Sequence, residues 1–279
     1  MPTTRPFPAS LIRVAASLFA IVCAAPSCAR PPAKASPSPA GLPRPGRADP
    51  TNGTDVVRAM HDRYASTWYR TLTFSQTTTI TLPDGKSLAQ QWLEAGKLPG
   101  RLRIDTDTAN HGGVIYARDS VYQFANGKLQ AARADMNDLL ILGFDVYTMP
   151  VDRTVAIVRS RGIDLSKVSR GAFNGRPVFI VGATDGDTTA KQFWVDADRL
   201  LFVRLLETVN TNAGPRRLDY RFLNYVAHGD AWVAEEVVGL RDGKPSLHEV
   251  YANVRVNVPL EDATFDPAQY ATFTPWYRQ

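Results

Sequence analysis

The strand pattern of the chain is clearest near its C-terminal end, in the stretches 217–222 (RLDYRF) and 249–258 (EVYANVRVNV). Charged and apolar residues alternate in the first stretch, and valine or alanine occupies every second position of the other. Because successive side chains of a β-strand point to opposite faces, both stretches are predicted to be strands with one apolar and one polar face. On the later strand, the apolar face is predicted to include Val250, Ala252, Val254, Val256 and Val258.

Strand-like runs of the same kind extend back to residue 72, and turn-forming dipeptides separate many of them. These dipeptides are Asp84-Gly85, Asn126-Gly127, Asn174-Gly175, Asp185-Gly186 and Asp242-Gly243. Their residues tolerate positive φ angles, which two-residue hairpins require. The pattern predicts an antiparallel, mostly meandering sheet of about eleven strands in a mainly β (α+β) fold. A sheet with so many strands tends to curl.

Three segments instead suggest helices that cover the sheet. Residues 55–69 and 152–161 have apolar residues at helical spacing, and the dense apolar stretch 138–149 (DLLILGFDVYTM) precedes the second helix. We predict that they cover the concave face of the sheet and form an open half-barrel. Periodicity alone leaves two arrangements open, since the same residues would line a cavity or fill a solid core.

The N-terminal 28 residues are predicted to be a secretory signal peptide. Arg5 and Arg13 form its basic end, and the uncharged segment 14–25 (VAASLFAIVCAA) is too short to span a bilayer. Small residues precede Cys28, so two hypotheses stay open: simple cleavage nearby, or cleavage before an acylated Cys28 that serves as a lipid anchor. The predicted localisation is the periplasm, or the outer membrane as an anchored lipoprotein.

A stretch rich in proline, alanine, glycine and serine follows, from residue 29 to residue 53. Such a composition cannot bury a core, so this stretch is predicted to be a disordered tether. Residues 54–279 are predicted to form a single β domain. The domain contains no cysteine, because Cys23 and Cys28 are the two cysteines of the chain.

Composition and motifs point to no enzyme class. Without the two arginines of the leader the formal net charge falls from +5 to +3, too little to suggest a nucleic-acid partner. Walker, dinucleotide-binding, G-x-S-x-G and H-E-x-x-H motifs are absent from the sequence, and its four histidines have no ligand-like spacing. We therefore predict no catalytic residue, no metal and no cofactor. An enzyme with an unrecognised site stays an alternative, and the oligomeric state is not predicted.

An ordered set of short motifs resembles one family. The motifs are Phe74-Ser75-Gln76 after the first helix, LPGRLRI at 98–104, a hairpin over 113–124, and FWVD at 193–196 followed by a strand. Together they resemble the periplasmic lipoprotein carrier and insertase superfamily, which includes the outer-membrane lipoprotein-sorting proteins. The resemblance implies an antiparallel half-barrel closed by helices, with an apolar cavity that accepts acyl chains of lipids or lipoproteins. It also makes Arg101 or Arg103 a candidate functional arginine, the alternative being ordinary surface cations.

The hypothesis from the sequence is therefore non-enzymatic binding or transfer of lipid or lipoprotein acyl chains in the cell envelope. The alternative is a membrane-anchored interaction or sensor module with a filled core. For the first hypothesis, the predicted cavity residues are Phe74, Trp92, Leu102, Ile104, Tyr122, Phe124, Leu140, Phe144, Tyr147, Tyr220, Phe222, Trp232, Val254 and Val256.

Overall fold

The computed structural model describes residues 49–109 and 111–278. One antiparallel sheet dominates this part of the chain. Its thirteen strands are β1 (Thr71–Thr81), β2 (Ser87–Lys97), β3 (Arg101–Asp107), β4 (Gly112–Ala117), β5 (Ser120–Ala125), β6 (Lys128–Ala134), β7 (Val168–Phe173), β8 (Arg176–Val181), β9 (Gln192–Asp196), β10 (Phe202–Thr211), β11 (Gly214–His228), β12 (Ala231–Arg241) and β13 (Lys244–Val256). The three α-helices of this part are α1 (Gly53–Tyr64), α2 (Asp138–Gly143) and α3 (Val151–Ser160).

The strand order is β6-β5-β4-β3-β2-β1-β13-β12-β11-β10-β9-β8-β7. The sheet is therefore a meander in two halves, joined where the first strand pairs with the last. It does not close, and β6 and β7 are its edges. The predicted class, a mainly β fold with an open antiparallel half-barrel, is confirmed, with thirteen strands in place of about eleven. Strand β7 was not predicted, because serine, arginine and glycine interrupt its apolar alternation.

Three of the predicted turns are two-residue hairpins with both central residues at positive φ. They are Asn126-Gly127 between β5 and β6, Asn174-Gly175 between β7 and β8, and Asp242-Gly243 between β12 and β13. This geometry matches the twist of the flanking strands and explains why an asparagine or aspartate precedes each glycine. Asp185-Gly186, in contrast, lies in the longer connection between β8 and β9.

Helix α1 begins where the Asn52 side chain accepts a hydrogen bond from the backbone N–H of Asp55, at 3.0 Å. It buries Val56, Val57 and Met60 against the sheet and ends at Tyr64, five residues before the predicted end. The helix starts one residue inside the stretch predicted as a tether.

The apolar stretch after β6 forms α2 and then a 3-10 turn, Asp145–Tyr147, before Pro150 introduces α3. Asn137 caps α2, because its side chain accepts hydrogen bonds from Leu139 and Leu140. Helix α2 packs against β10, whereas α1 packs against β8, the 3-10 turn and α3. No helix in the described ranges combines the length and apolar character needed to cross a membrane.

The alternation on β11 is as predicted, since Leu218, Tyr220 and Phe222 are buried. On β13 the prediction was wrong for Val250 and Ala252, which are exposed. The pairing of β1 with β13 shifts between Thr73 and Ser75, and Asn253 opposite this shift has a φ of 55°. This β-bulge inserts one extra residue and reverses the faces.

The bulge therefore divides β13 into two parts. Before it, Leu247, Glu249 and Tyr251 point to the concave side; beyond it, Val254 and Val256 pack against the main core. A valine at every second position is therefore not equivalent to one continuous apolar face.

The C-terminal segment covers the outer face of β3, β4 and β5. Its Tyr270 stacks on Phe124 with ring centroids 3.9 Å apart and lies under the Arg103 guanidinium at 4.5 Å. Gly113 permits this close approach, because a Cβ there would lie 2.6 Å from the Tyr270 hydroxyl. The outer face thus has a small apolar core of its own.

Candidate ligand-binding cavity

A cavity lies between the concave face of the sheet and helix α2. Its volume is about 90 Å³, measured as the space open to the centre of a water molecule. Strands β1 to β5 and β11 to β13 supply its walls. The apolar lining consists of Leu72, Phe74, Trp92, Leu98, Leu102, Ile104, Val114, Leu139, Leu140, Phe144, Phe222, Val237 and Leu247.

Half of the lining residues predicted from the sequence are brought together here. The sheet supplies the larger share, because the inward positions of β1, β2, β3 and β11 converge, and α2 and its C-cap complete the set. These residues are Phe74, Trp92, Leu102, Ile104, Leu140, Phe144 and Phe222. The Phe144 ring meets the Phe222 ring edge-on, at a centroid distance of 6.3 Å, so α2 is in direct contact with the sheet.

Two predicted residues lie on the other side of the sheet. On β5 it is Gln123 that lines the cavity, so Tyr122 and Phe124 on either side of it face outward. They pack in the small core beneath Tyr270. The aromatic residues of this strand were visible in the sequence, but the face on which they lie was not.

The remaining predicted residues pack elsewhere on the concave side. Tyr147 is buried against Trp68 with ring centroids 3.8 Å apart, and its hydroxyl accepts a hydrogen bond from the Phe202 backbone. Tyr220 lines a smaller pocket beside the first turn of α2. Three further predicted residues are partly buried and pack against the main core outside the cavity: Trp232, Val254 and Val256.

The walls also contain polar residues that the sequence did not single out: Glu94, Thr106, Tyr116, Gln123, Asn137, Glu249 and Tyr251. Glu94 follows Trp92 by two positions, so the period of the strand could have placed it on the same face. Glu249 could not be found this way, because the bulge at Asn253 reverses the apparent face of its half of β13.

The two glutamates have altered acidities. Burial raises the pKa of Glu94 well above its usual range, and the nearby Glu249 and Asp105 carboxyls add to this. Burial also raises the pKa of Glu249 to about 7, partly offset by a hydrogen bond with Gln76. Desolvation disfavours a charged carboxylate, so the apolar surroundings favour the protonated form of both side chains.

Helix α2 is held by charged groups at its start and by Asp145 just beyond its end. The Asp138 carboxylate accepts hydrogen bonds from Lys191 and from Arg161, each at 2.6 Å. After the helix, Asp145 accepts a hydrogen bond from the Gly100 backbone at 3.0 Å. These non-covalent contacts hold both ends of the short helix over the cavity.

No cluster of three or more potential metal-ligating His, Cys, Asp or Glu side chains is present within residues 49–109 and 111–278.

Solved structures with the same architecture cover most of the chain. A DUF1329 family protein from Desulfovibrio piger matches 78% of this chain and 97% of its own, with 14% identity and a TM-score of 0.51. An outer membrane lipoprotein-sorting protein domain from Vibrio parahaemolyticus matches 78% of this chain and 98% of its own, with 10% identity and a TM-score of 0.51. The chain shares its fold with these two structures.

The resemblance stated from the short motifs is thus confirmed at the level of the fold. No protein-family model matches the sequence, and no curated protein does so either. At 10% to 14% identity the structural likeness establishes the shared fold alone.

The two candidate arginines, Arg101 and Arg103, do not line the cavity. Arg103 is 1% exposed, so it is not an ordinary surface cation. It donates two hydrogen bonds to Asp105, at 2.8 and 3.0 Å, on the face of β3 opposite to Leu102 and Ile104. Arg101 is partly exposed and pairs with Asp262 at 2.7 Å.

The predicted anchor Cys28, the signal peptide 1–28 and the tether up to residue 48 lie outside the described residues.

Proposed function

We propose that this chain binds an acyl chain of a lipid or lipoprotein in the cavity beneath α2, and that it does so without catalysis. The observation that supports the proposal is an apolar cavity between the concave face of an open sheet and a short helix. Burying an alkyl chain there would contribute roughly 0.8 kcal/mol for each CH₂ group removed from water. Affinity would therefore increase with the length of chain that the cavity admits.

The cavity volume of about 90 Å³ implies that α2 moves during binding. Pockets for drug-sized ligands typically enclose about 300–1,000 Å³. A complete acyl chain therefore needs more space than the closed arrangement offers. Helix α2 has six residues, and its contacts at the two ends are hydrogen bonds and ion pairs that can break and re-form. We propose that it acts as a lid.

Titration of the delipidated protein with an environment-sensitive fluorescent fatty acid tests the proposal. The wild-type chain should take up the probe with saturation at one site, and Phe144→Glu should abolish uptake, because it introduces a carboxylate into the apolar wall. Leu129→Glu is the matched control. Leu129 is 53% exposed on β6, so the same change there should leave binding intact.

Absence of uptake in both the probe titration and native mass spectrometry would refute acyl-chain binding. Equal loss of probe uptake in Phe144→Glu and Leu129→Glu would show that the probe is not bound in the cavity. Circular dichroism of each variant separates loss of binding from loss of fold.

We further propose that the chain is exported and anchored in the envelope through an acylated Cys28. Support comes from the apolar leader with small residues before Cys28 and from the 29–53 stretch that can separate a folded domain from a surface. Intact-mass measurement of the membrane-extracted protein should show an acylated N-terminal cysteine. Cys28→Ser should remove both the added mass and the membrane association; an unmodified wild-type mass would reject the anchor.

The alternative proposal is an envelope interaction module, favoured by the edge strand β6. Nearly all of its side chains are exposed, including Leu129, and such an edge can pair with a strand of another protein. Two results together would support this function instead: the chain takes up no acyl probe, and it binds a partner protein that substitutions along β6 release.

A further inference from the structure

Two carboxyl groups interrupt the otherwise apolar cavity. Glu94 lies on β2 and Glu249 on β13, the two strands that flank β1. Both line the cavity; Glu94 is 6% exposed and Glu249 is partly buried. Their cross-strand partners on β1 are Phe74 and Thr78, four residues apart. The Glu249 carboxyl is nevertheless near enough to contribute to the raised pKa of Glu94.

Glu94 lacks the partner that a buried carboxyl normally has. Within the described ranges it forms no hydrogen bond and no ion pair. On the neighbouring strand β3, Arg103 faces the opposite side of the sheet and forms an ion pair with Asp105. The Glu94 carboxyl oxygens are not among the fully buried atoms without a partner, so they open into the cavity, where a donor group of a ligand can reach them.

Gln76 lies beside the cavity without lining it. It is 1% exposed and lies on β1 between the two glutamates, opposite Trp92 on one side and Tyr251 on the other. Its amide nitrogen donates to the Thr78 hydroxyl at 2.7 Å. Its carbonyl oxygen, however, is buried and has no hydrogen-bond partner among the described residues.

These three side chains share one chemical property. The carboxyls of Glu94 and Glu249 and the amide oxygen of Gln76 all accept hydrogen bonds, and no lysine or arginine lines the cavity. A group with several N–H donors and a positive charge would satisfy the two carboxyls that line the cavity, because charge-assisted hydrogen bonds are the strongest of those available. A neutral hydroxyl has one donor and no charge and would satisfy fewer of them.

We propose that the cavity prefers single-chain amphiphiles whose polar end is a protonated primary amine, held by the carboxyls of Glu94 and Glu249 while the alkyl chain lies along the apolar wall. This inference rests on the proposed acyl-chain binding and names the polar end of the ligand. Free alkylamines and lipids with an amine in the headgroup share this chemistry.

Proton release is a consequence of this arrangement. Burial raises the pKa values of both glutamates, and repulsion by the Glu249 carboxyl adds to this at Glu94, so without an ammonium partner both side chains favour the protonated form. An ammonium group favours the ionised carboxylates and therefore displaces protons into solution. A ligand bound by its chain alone would release none.

Isothermal titration of the delipidated full chain with dodecylamine and with dodecanol, below their micelle concentrations, tests the proposal. At pH 7.5 dodecylamine should bind roughly tenfold more tightly than dodecanol. Its binding heat should vary with the ionisation enthalpy of the buffer, as proton release requires. A lysophosphatidylethanolamine arm distinguishes a headgroup amine from a free amine; binding of either amine supports the proposal.

Glu94→Gln should remove most of the preference, with dodecylamine weakened roughly tenfold and dodecanol unchanged. Glu261→Gln is the matched control, because Glu261 is exposed outside the cavity. If Glu94→Gln does not fold, Glu249→Gln and the wild-type proton release decide the question.

The outcomes separate this inference from the function on which it rests. Equal or tighter binding of dodecanol, or amine binding without proton release, would overturn the amine preference and leave acyl-chain binding standing. No uptake of any of the probes would refute both.

Discussion

Gly143, the last residue of α2, lies against the ring of Phe222 on β11. A Cβ built on this glycine would be 2.7 Å from one ring carbon and 3.3 Å from the next. The Phe222 ring is itself confined by Phe144 and Phe202, with ring centroids at 6.3 and 4.9 Å. Helix α2 thus approaches the sheet as closely as a residue without a side chain permits.

Gly143→Ala should therefore lift α2 from the sheet. Because the methyl group has no space, we expect a loss of about 1–3 kcal/mol in the free energy of unfolding, measured by urea denaturation. The double variant Gly143→Ala/Phe222→Leu should recover part of the loss, since leucine leaves room beside the helix. Unchanged stability of the single variant would show that this contact is not tight in solution.

The first turn of α2 provides the next prediction. Asp138→Asn removes the carboxylate that holds Lys191 and Arg161, although Glu207 and Asp135 still accept from these cations. We expect a loss of about 1–3 kcal/mol in stability. Hydrogen exchange of residues 139–144 should become faster, and uptake of the fluorescent fatty acid should accelerate.

Asp152→Asn is the control for this change, because Asp152 is exposed on α3. Exchange rates in α2 that are the same in Asp138→Asn and the wild type would mean that the ion pairs do not restrain the helix.

The buried carboxyl of Asp145 should make the stability of the fold depend on pH. Burial raises the pKa of its carboxyl to about 7, and one of its oxygens has no partner among the described residues. The folded state thus binds a proton that the unfolded state releases near pH 4, so this group makes stability fall as pH rises from about 4 to about 7.

Asp145→Asn keeps an acceptor for Gly100 but cannot ionise. Relative to the wild type, it should therefore gain up to about 4 kcal/mol in unfolding free energy between pH 4 and pH 8. Urea denaturation across this range measures the difference. Parallel stability curves for the two proteins would show that Asp145 does not titrate as described.

The bulge on β13 is tested at Asn253. Asparagine is among the few residues with a side chain that adopt positive φ readily, whereas a β-branched residue is strained there. Asn253→Val should lower the unfolding free energy by about 1–2 kcal/mol, and Asn253→Gly should change it by less than about 0.5 kcal/mol. Thermal denaturation compares them; equal stability of both variants would argue against the bulge.

The sequence was most informative where structure is local. The hairpin turns at Asn126, Asn174 and Asp242 follow from the backbone freedom of two adjacent residues. Helix α1 follows from helical spacing and its cap Asn52, and α3 from helical spacing alone, since it has no side-chain cap. Strand β7 escaped notice because Arg170 and Gly171 break its alternation, so its pairing with β8 comes from the partner strand and the turn.

For the cavity, the sequence alone determined a supply of apolar strands and a covering helix, including Phe74, Trp92 and Phe144. Only the tertiary structure decided which face each side chain occupies. Tyr122 and Phe124 face the C-terminal segment, and the bulge at Asn253 turns Glu249 into the cavity. The physical reason is that a face is defined by register and by what packs against it, and both depend on residues distant in the chain.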